Sequence, residues 1–165
     1  MEVINSNDQD FNEVFIVDKD IINYFFKDEN YETAELFFVY LTTSCNHKKA
    51  YMIPSVFEDI SKKINEKLKT QEERRTEIIS YLNNWIEKAD LLGEDKGDEK
   101  HDTLLLYRFL NFLHSDKKVI IISNKSFDED IRVLPIDKIW VYLLGNKKFK
   151  EYIKLHYGVD DGASY

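Results

Sequence analysis

One cysteine, two prolines and five glycines in 165 residues exclude several classes of protein at once. The lone Cys45 cannot form an internal disulfide or a cysteine-rich zinc centre, and it fits the cytosol as the compartment. So little proline and glycine excludes a collagenous or low-complexity chain. No apolar run approaches the roughly 18 residues needed to span a membrane, and the N-terminus lacks the basic-then-apolar layout of a signal peptide. Positive charge is also scarce: 23 Lys and Arg stand against 31 Asp and Glu, a formal charge of -8. That balance argues against indiscriminate nucleic-acid binding, where Lys and Arg neutralise phosphates. A nuclease stays compatible, because a carboxylate cluster that holds a divalent ion is itself negative and the ion reverses the local sign.

Apolar residues make up 43% of the chain and charged ones 33%, the profile of a compact protein large enough to bury a core. One domain over residues 1–165 is expected, with residues 1–12 a flexible N-terminus and residues 158–165 a flexible tail. Phenylalanine and tyrosine are plentiful. Phe25, Phe26, Phe37, Phe38, Phe109 and Phe112 recur within helix-like segments, so they read as core packing rather than as a platform for stacked bases.

The apolar pattern alternates strands with helices. "EVFIV" (13–17) reads as a strand buried in a sheet, followed by a helix from about Asp20 or Ile21. "ETAELFFVYLTTSCNH" has helical spacing, and "AYMI" is a short strand closed by Pro54. "SVFEDISKKINEKL" puts Val56, Ile60, Ile64 and Leu68 on one stripe. "TQEERRTEIISYLNNWIEKADLL" reads as one long amphipathic helix with Thr70 and Glu73 spaced as a capping box. Residues 93–101 form a solvated loop. "DTLLLYRFLNFLHSDKK" is the next helix, "VIIIS" a central parallel strand, "IRVLPI" an edge strand, and the last helical region breaks at Gly145. This order predicts a three-layer α/β/α sandwich around a mainly parallel sheet of four or five strands.

The acids then stand out. Asp18 ends the first strand, at the sheet edge where ligands bind in open α/β folds, unless it merely caps the following helix. Glu58 and Asp59 lie early in the helix after the second strand, and Asp102 opens the helix before "VIIIS". If they converge, a cation must relieve their repulsion, and Mg²⁺ or Mn²⁺ suits a few carboxylates with retained waters.

In these stretches the chain resembles the PIN-domain nucleases. "FIVDKDIINYFF" looks like that family's opening motif, "IPSVFEDI" its second, with Asp59 a better match than Glu58, and "HDTLLLYRFLNFLHSDKKVIIISN" its third, with Asp102 as the helix-opening acid. "IRVLPIDKIWVYLL" is similar to its last strand and helix. The resemblance implies a metal-dependent endoribonuclease in which Asp18, Asp59 and Asp102 hold one or two Mg²⁺ or Mn²⁺ ions whose bound water attacks the phosphodiester. Asp20 would support the metal from behind or through water, and Asp128 could substitute for a further acid. Ser123 or Asn124 would orient Asp18 or the substrate phosphate. Lys62, Lys63 and Lys125 are candidates for substrate contact, although a lysine pair on a helix is commonly a solvated face. His101, beside Asp102, is not needed as a base. The implied partners are an RNA substrate and an antitoxin or other protein, with a homodimer compatible and no membrane.

The family's strand-end turn carries a further aspartate where this chain has Asn124 or Lys125, and Lys125 could serve as an internal cation. Two alternatives follow: a PIN-like interaction module without catalysis, and a haloacid-dehalogenase-like phosphatase. For the phosphatase, "VDKD" supplies Asp18 as nucleophile and Asp20 as general acid, and Asp160 and Asp161 the acidic pair.

Overall fold

The computed structural model describes residues 2–3, 13–28, 31–44, 50–89 and 98–158. In chain order these form β1 (Glu2–Val3), β2 (Glu13–Val17), α1 (Ile21–Phe25), α2 (Glu32–Ser44), β3 (Ala50–Met52), α3 (Pro54–Lys67), α4 (Glu72–Trp85), β4 (Ile86–Lys88), α5 (Glu99–Leu113), β5 (Lys118–Ile122), β6 (Arg132–Leu134), a 3-10 turn (Ile136–Lys138), α6 (Ile139–Leu144) and α7 (Lys147–Tyr157). Every strand pairing is parallel, in the order β1-β6-β5-β2-β3-β4. Helices flank this sheet in the expected three-layer α/β/α arrangement. No helix among the described residues is long and apolar enough to cross a membrane.

The strand order places a topological switch at β2. The chain steps from β2 outward through β3 to β4, then crosses back to β5 on the other side of β2 and on to β6. Successive crossovers therefore leave in opposite directions from β2, and their loops part at the carboxyl ends of β2 and β5. The register is set by strands that are apolar and buried beyond their first residue: Val17 stands opposite Ile122, and Ile122 opposite Leu134. One residue further on, Asp18 and Ser123 must meet.

The core explains most of the aromatic surplus. Phe15 projects from β2 onto Phe37 and Tyr40 of α2 and onto Tyr142 of α6, with edge-on or tilted rings. Phe25, Phe38 and Phe149 extend the same cluster. Burying each such ring removes 150 Å² or more from water and contributes roughly 2–3 kcal/mol. Val56, Ile60, Ile64 and Leu68 are all buried, as the stripe on α3 predicts. Phe109 and Phe112 are the exceptions, 51% and 86% exposed on the outer side of α5, because they sit off the face that packs on the sheet.

Several boundaries differ from the sequence expectation. The long helix from Thr70 stops at Trp85, since Ile86–Lys88 pairs with β3 and the gain in sheet pairing outweighs helical propensity. The capping box is not formed: Gln71 takes the cap position and makes no side-chain bond there. α5 begins at Glu99, not at Asp102, because the Asp98 carboxylate caps it by accepting from the His101 amide at 3.0 Å. β6 is not an edge strand, since Glu2–Val3 pairs along its outer side. The remainder of the expected flexible N-terminus, the loop residues 93–97, Cys45 and the tail residues 159–165 lie outside the described residues.

Candidate functional site at the switch point

Asp18 stands at the crevice where the strand order reverses, and its carboxylate is wholly buried. Its backbone amide continues the sheet by donating to the Ile122 carbonyl at 3.0 Å, so it is not the cap of α1. Oδ1 accepts from the Lys19 amide at 2.8 Å and Oδ2 from Ser123 Oγ at 2.8 Å. The Lys125 ammonium lies 3.2 Å from Oδ2 and 3.4 Å from Oδ1. A buried carboxylate is tolerated only when paired and hydrogen-bonded, and these three donors meet that condition.

Asp20 makes a separate clasp. Its Oδ2 accepts from the Asn124 amide at 3.0 Å and lies 3.3 Å from Ser123 Oγ. Asn124 in turn offers its Oδ1 to the Ile136 amide at 2.9 Å. The ends of β2, β5 and β6 are thus tied through two side chains, and the Lys125 amide closes the turn onto Ser123 Oγ at 3.0 Å. Ser123 donates to Asp18, while Asp20 and Asn124 hold strand ends together.

A second cationic centre lies beside the first. Lys19 Nζ is 3.1 Å from Glu99 Oε2 and 3.7 Å from Asp59 Oδ2. The hydrogen bond to Glu99 lifts the Lys19 pKa above its ordinary value, helped by the charges of Glu99, Asp59 and Asp18 and opposed by partial burial. Asp59 is nonetheless open to solvent, with its side chain 49% exposed.

The expected residues therefore divide. Asp18, Asp20, Ser123, Asn124 and Lys125 are assembled in one network, and Asp59 joins it through Lys19. Asp102 is buried in the first turn of α5, but it is Glu99, at the start of the same turn, that reaches Lys19. Glu58 is exposed and lines, with Lys62, Lys69, Lys88 and Phe57, a groove of about 630 Å³ along α3. Lys63 lines a different groove with Phe26 and Lys67. Asp128 is exposed in the turn before β6, and His101 is exposed with its amide serving the α5 cap. Lys19 and Glu99 are the residues the sequence reading passed over. The available signal was a lysine wedged between two acids in "VDKD".

Mg²⁺ or Mn²⁺ requires several carboxylate oxygens turned toward one point, about 2.1 Å from the ion. Among the described residues no three Asp, Glu, His or Cys side chains are so arranged. The reason is local: Lys125 already pairs with the buried Asp18 carboxylate, and Lys19 stands between Asp59 and Glu99. The carboxylates as placed do not fit the metal. Comparison with protein-family models, curated proteins and solved structures finds no match to this chain.

Proposed function

We propose that this chain is a PIN-like domain that acts as a binding module and does not hydrolyse RNA. The observation that carries the reading is the Lys125 ammonium, 3.2 Å from a fully buried Asp18. In a metal-dependent nuclease that carboxylate has to face the ion, and here its charge is already balanced by a group of the same chain. Chemistry at Asp18 is disfavoured for the same reason: a nucleophilic carboxylate needs a free oxygen open to substrate, whereas both oxygens accept hydrogen bonds within the fold. That counts against the phosphatase reading as well as the nuclease.

Calorimetric titration of Mn²⁺ into the wild-type protein and into Asp18→Asn, with a labelled-RNA cleavage assay on the same samples, tests the proposal. Neither protein should show saturable binding, and RNA should stay intact with and without metal. Metal-dependent cleavage by the wild type that disappears in Asp18→Asn would restore the endoribonuclease reading.

A further inference from the structure

α5 differs from α3 and α4 in what it shows to solvent. Those two helices turn mostly lysines, glutamates and amides outward. On α5 the outward positions are Leu105, Phe109, Phe112 and Leu113, with Phe112 86% and Leu113 58% exposed, while Thr103, Leu106, Tyr107 and Leu110 are buried. The spacing of 105, 109 and 112, four residues and then three, is that of a coiled-coil seam, with Leu113 along one side. α5 also stands apart in its packing. Among the described elements it packs chiefly on β5 and β2, whereas every other α-helix has a helix neighbour. Its outer flank is an unfinished helix layer.

Size and charge together point to the occupant. The four side chains expose about 400 Å² of apolar surface, as much as a monomer usually leaves bare in one place. Two copies laid face to face remove about twice that, and the polar rim that accompanies such a core brings the total to the lower end of the roughly 1,200–2,000 Å² of a stable interface. The chain carries a formal charge of -8, so two copies repel over most of their surface. Residues 103–115 contain no acid, and Arg108 is their one fixed charge. This flank is where two copies approach without setting acid against acid.

The seam also fits itself. Laid antiparallel about a two-fold axis, Phe109 of each copy meets Phe112 of the other, and Leu105 lies toward the end of the opposite α5. Arg108 then comes within one turn of Asp116, which is exposed in the turn that follows α5 of the other copy. The pair that Arg108 makes with Asp130 at 3.7 Å is long and solvated, so the guanidinium is free to turn.

We infer that the outer flank of α5 is a dimer seam, on which a second copy of this chain lays its own α5 antiparallel against Leu105, Phe109, Phe112 and Leu113, with Arg108 and Asp116 paired across the rim. These residues take no part in the network around Asp18. The inference therefore stands or falls independently of whether the sheet edge binds metal.

Sedimentation equilibrium of the full chain, from low to high micromolar concentration, tests it. The wild type should show a monomer–dimer equilibrium in the micromolar range. Phe112→Glu should weaken that equilibrium roughly tenfold or more. Arg108→Glu should weaken it severalfold, and Arg108→Glu/Asp116→Arg should recover most of the loss. Leu155→Glu, at an 81% exposed position on α7, should leave it unchanged. Circular dichroism checks each variant for folding, and Phe112→Ser, with the same expected direction, replaces Phe112→Glu if that protein does not fold. A wild type that stays monomeric throughout the range overturns the inference and leaves the flank to a different protein. A dimer that Phe112→Glu leaves intact places the contact elsewhere and overturns it too. A dimer weakened by Arg108→Glu and not recovered by the charge reversal overturns the antiparallel pairing.

Discussion

Asp18 and Asp59 reach the same edge of the sheet and are held in opposite ways. Asp18 is sealed from solvent and takes hydrogen bonds from Lys19, Ser123 and Lys125, while Asp59 is half exposed and has one long ion pair. The difference lies in what each carboxylate hangs from. Asp18 continues a central strand whose neighbour, β5, brings Ser123 and Lys125 to it by register, so its partners come with the sheet. Asp59 sits on a solvent-facing turn of α3, where only a long flexible side chain can reach it. Equal formal charges at one edge therefore carry very different energies: the first is part of the fold's internal bonding, and the second is close to a surface pair worth little.

The sharpest way to break the comparison is Asp18→Ala. It strands the Lys125 charge and the Ser123 hydroxyl, and the loss should be about 3 kcal/mol, the low end for a broken buried pair because Lys125 can turn toward water. Urea unfolding reads it directly. Ser123→Ala should cost about 2 kcal/mol by the same assay, since one hydroxyl serves Asp18, Asp20 and the Lys125 amide together. Asp59→Asn should cost less than about 0.5 kcal/mol and nothing measurable in high salt. In that variant Lys19 keeps Glu99. A lysine whose pKa is raised in the folded state contributes fully below its unfolded value of 10.5 and loses that contribution as pH rises through the raised one. The Asp59→Asn protein should therefore show unchanged stability at neutral pH and still fade on the alkaline side. A loss at Asp59 equal to that at Asp18 would remove the contrast.

The parts of the fold legible in the sequence were those fixed by local pattern. The buried run Val14–Val17, the stripe on α3, the strand "VIIIS" and the break at Gly145 all carry their reason within a few residues. β4 was not legible: "IEK" has one buried residue and two exposed ones, so nothing in it outweighs the helix before it until β3 stands alongside. The site divides in the same way. Asp18 was visible because an acid at the carboxyl end of an apolar strand falls at the sheet edge where open α/β folds bind ligands. Lys19 and Glu99 were not, because in sequence each looks like solvated filler, one between acids and one in a polar loop. Their meeting depends on where α5 lands after its crossover. Asp20 was legible as a residue of interest but not in its role, since the amide it accepts from belongs to Asn124, which lies 104 positions away.

That separation also sets when the edge can come into being. β2 finds its neighbour β3 among the residues made soon after it, but Ser123 and Lys125 follow Asp18 by 105 and 107 positions. During synthesis the growing chain holds Asp18 with its carboxylate bare and one flank of its strand open, until β5 has emerged and inserted. Closing so long a loop makes this pairing a late and slow step, and the half-sheet that waits for it presents the apolar edge most prone to wrong partners. The acid that looks like an active-site residue in the finished protein is, on the ribosome, a gatekeeper: with Glu13 it brackets the hydrophobic run Val14–Val17 by negative charge throughout the interval when that strand has only one neighbour.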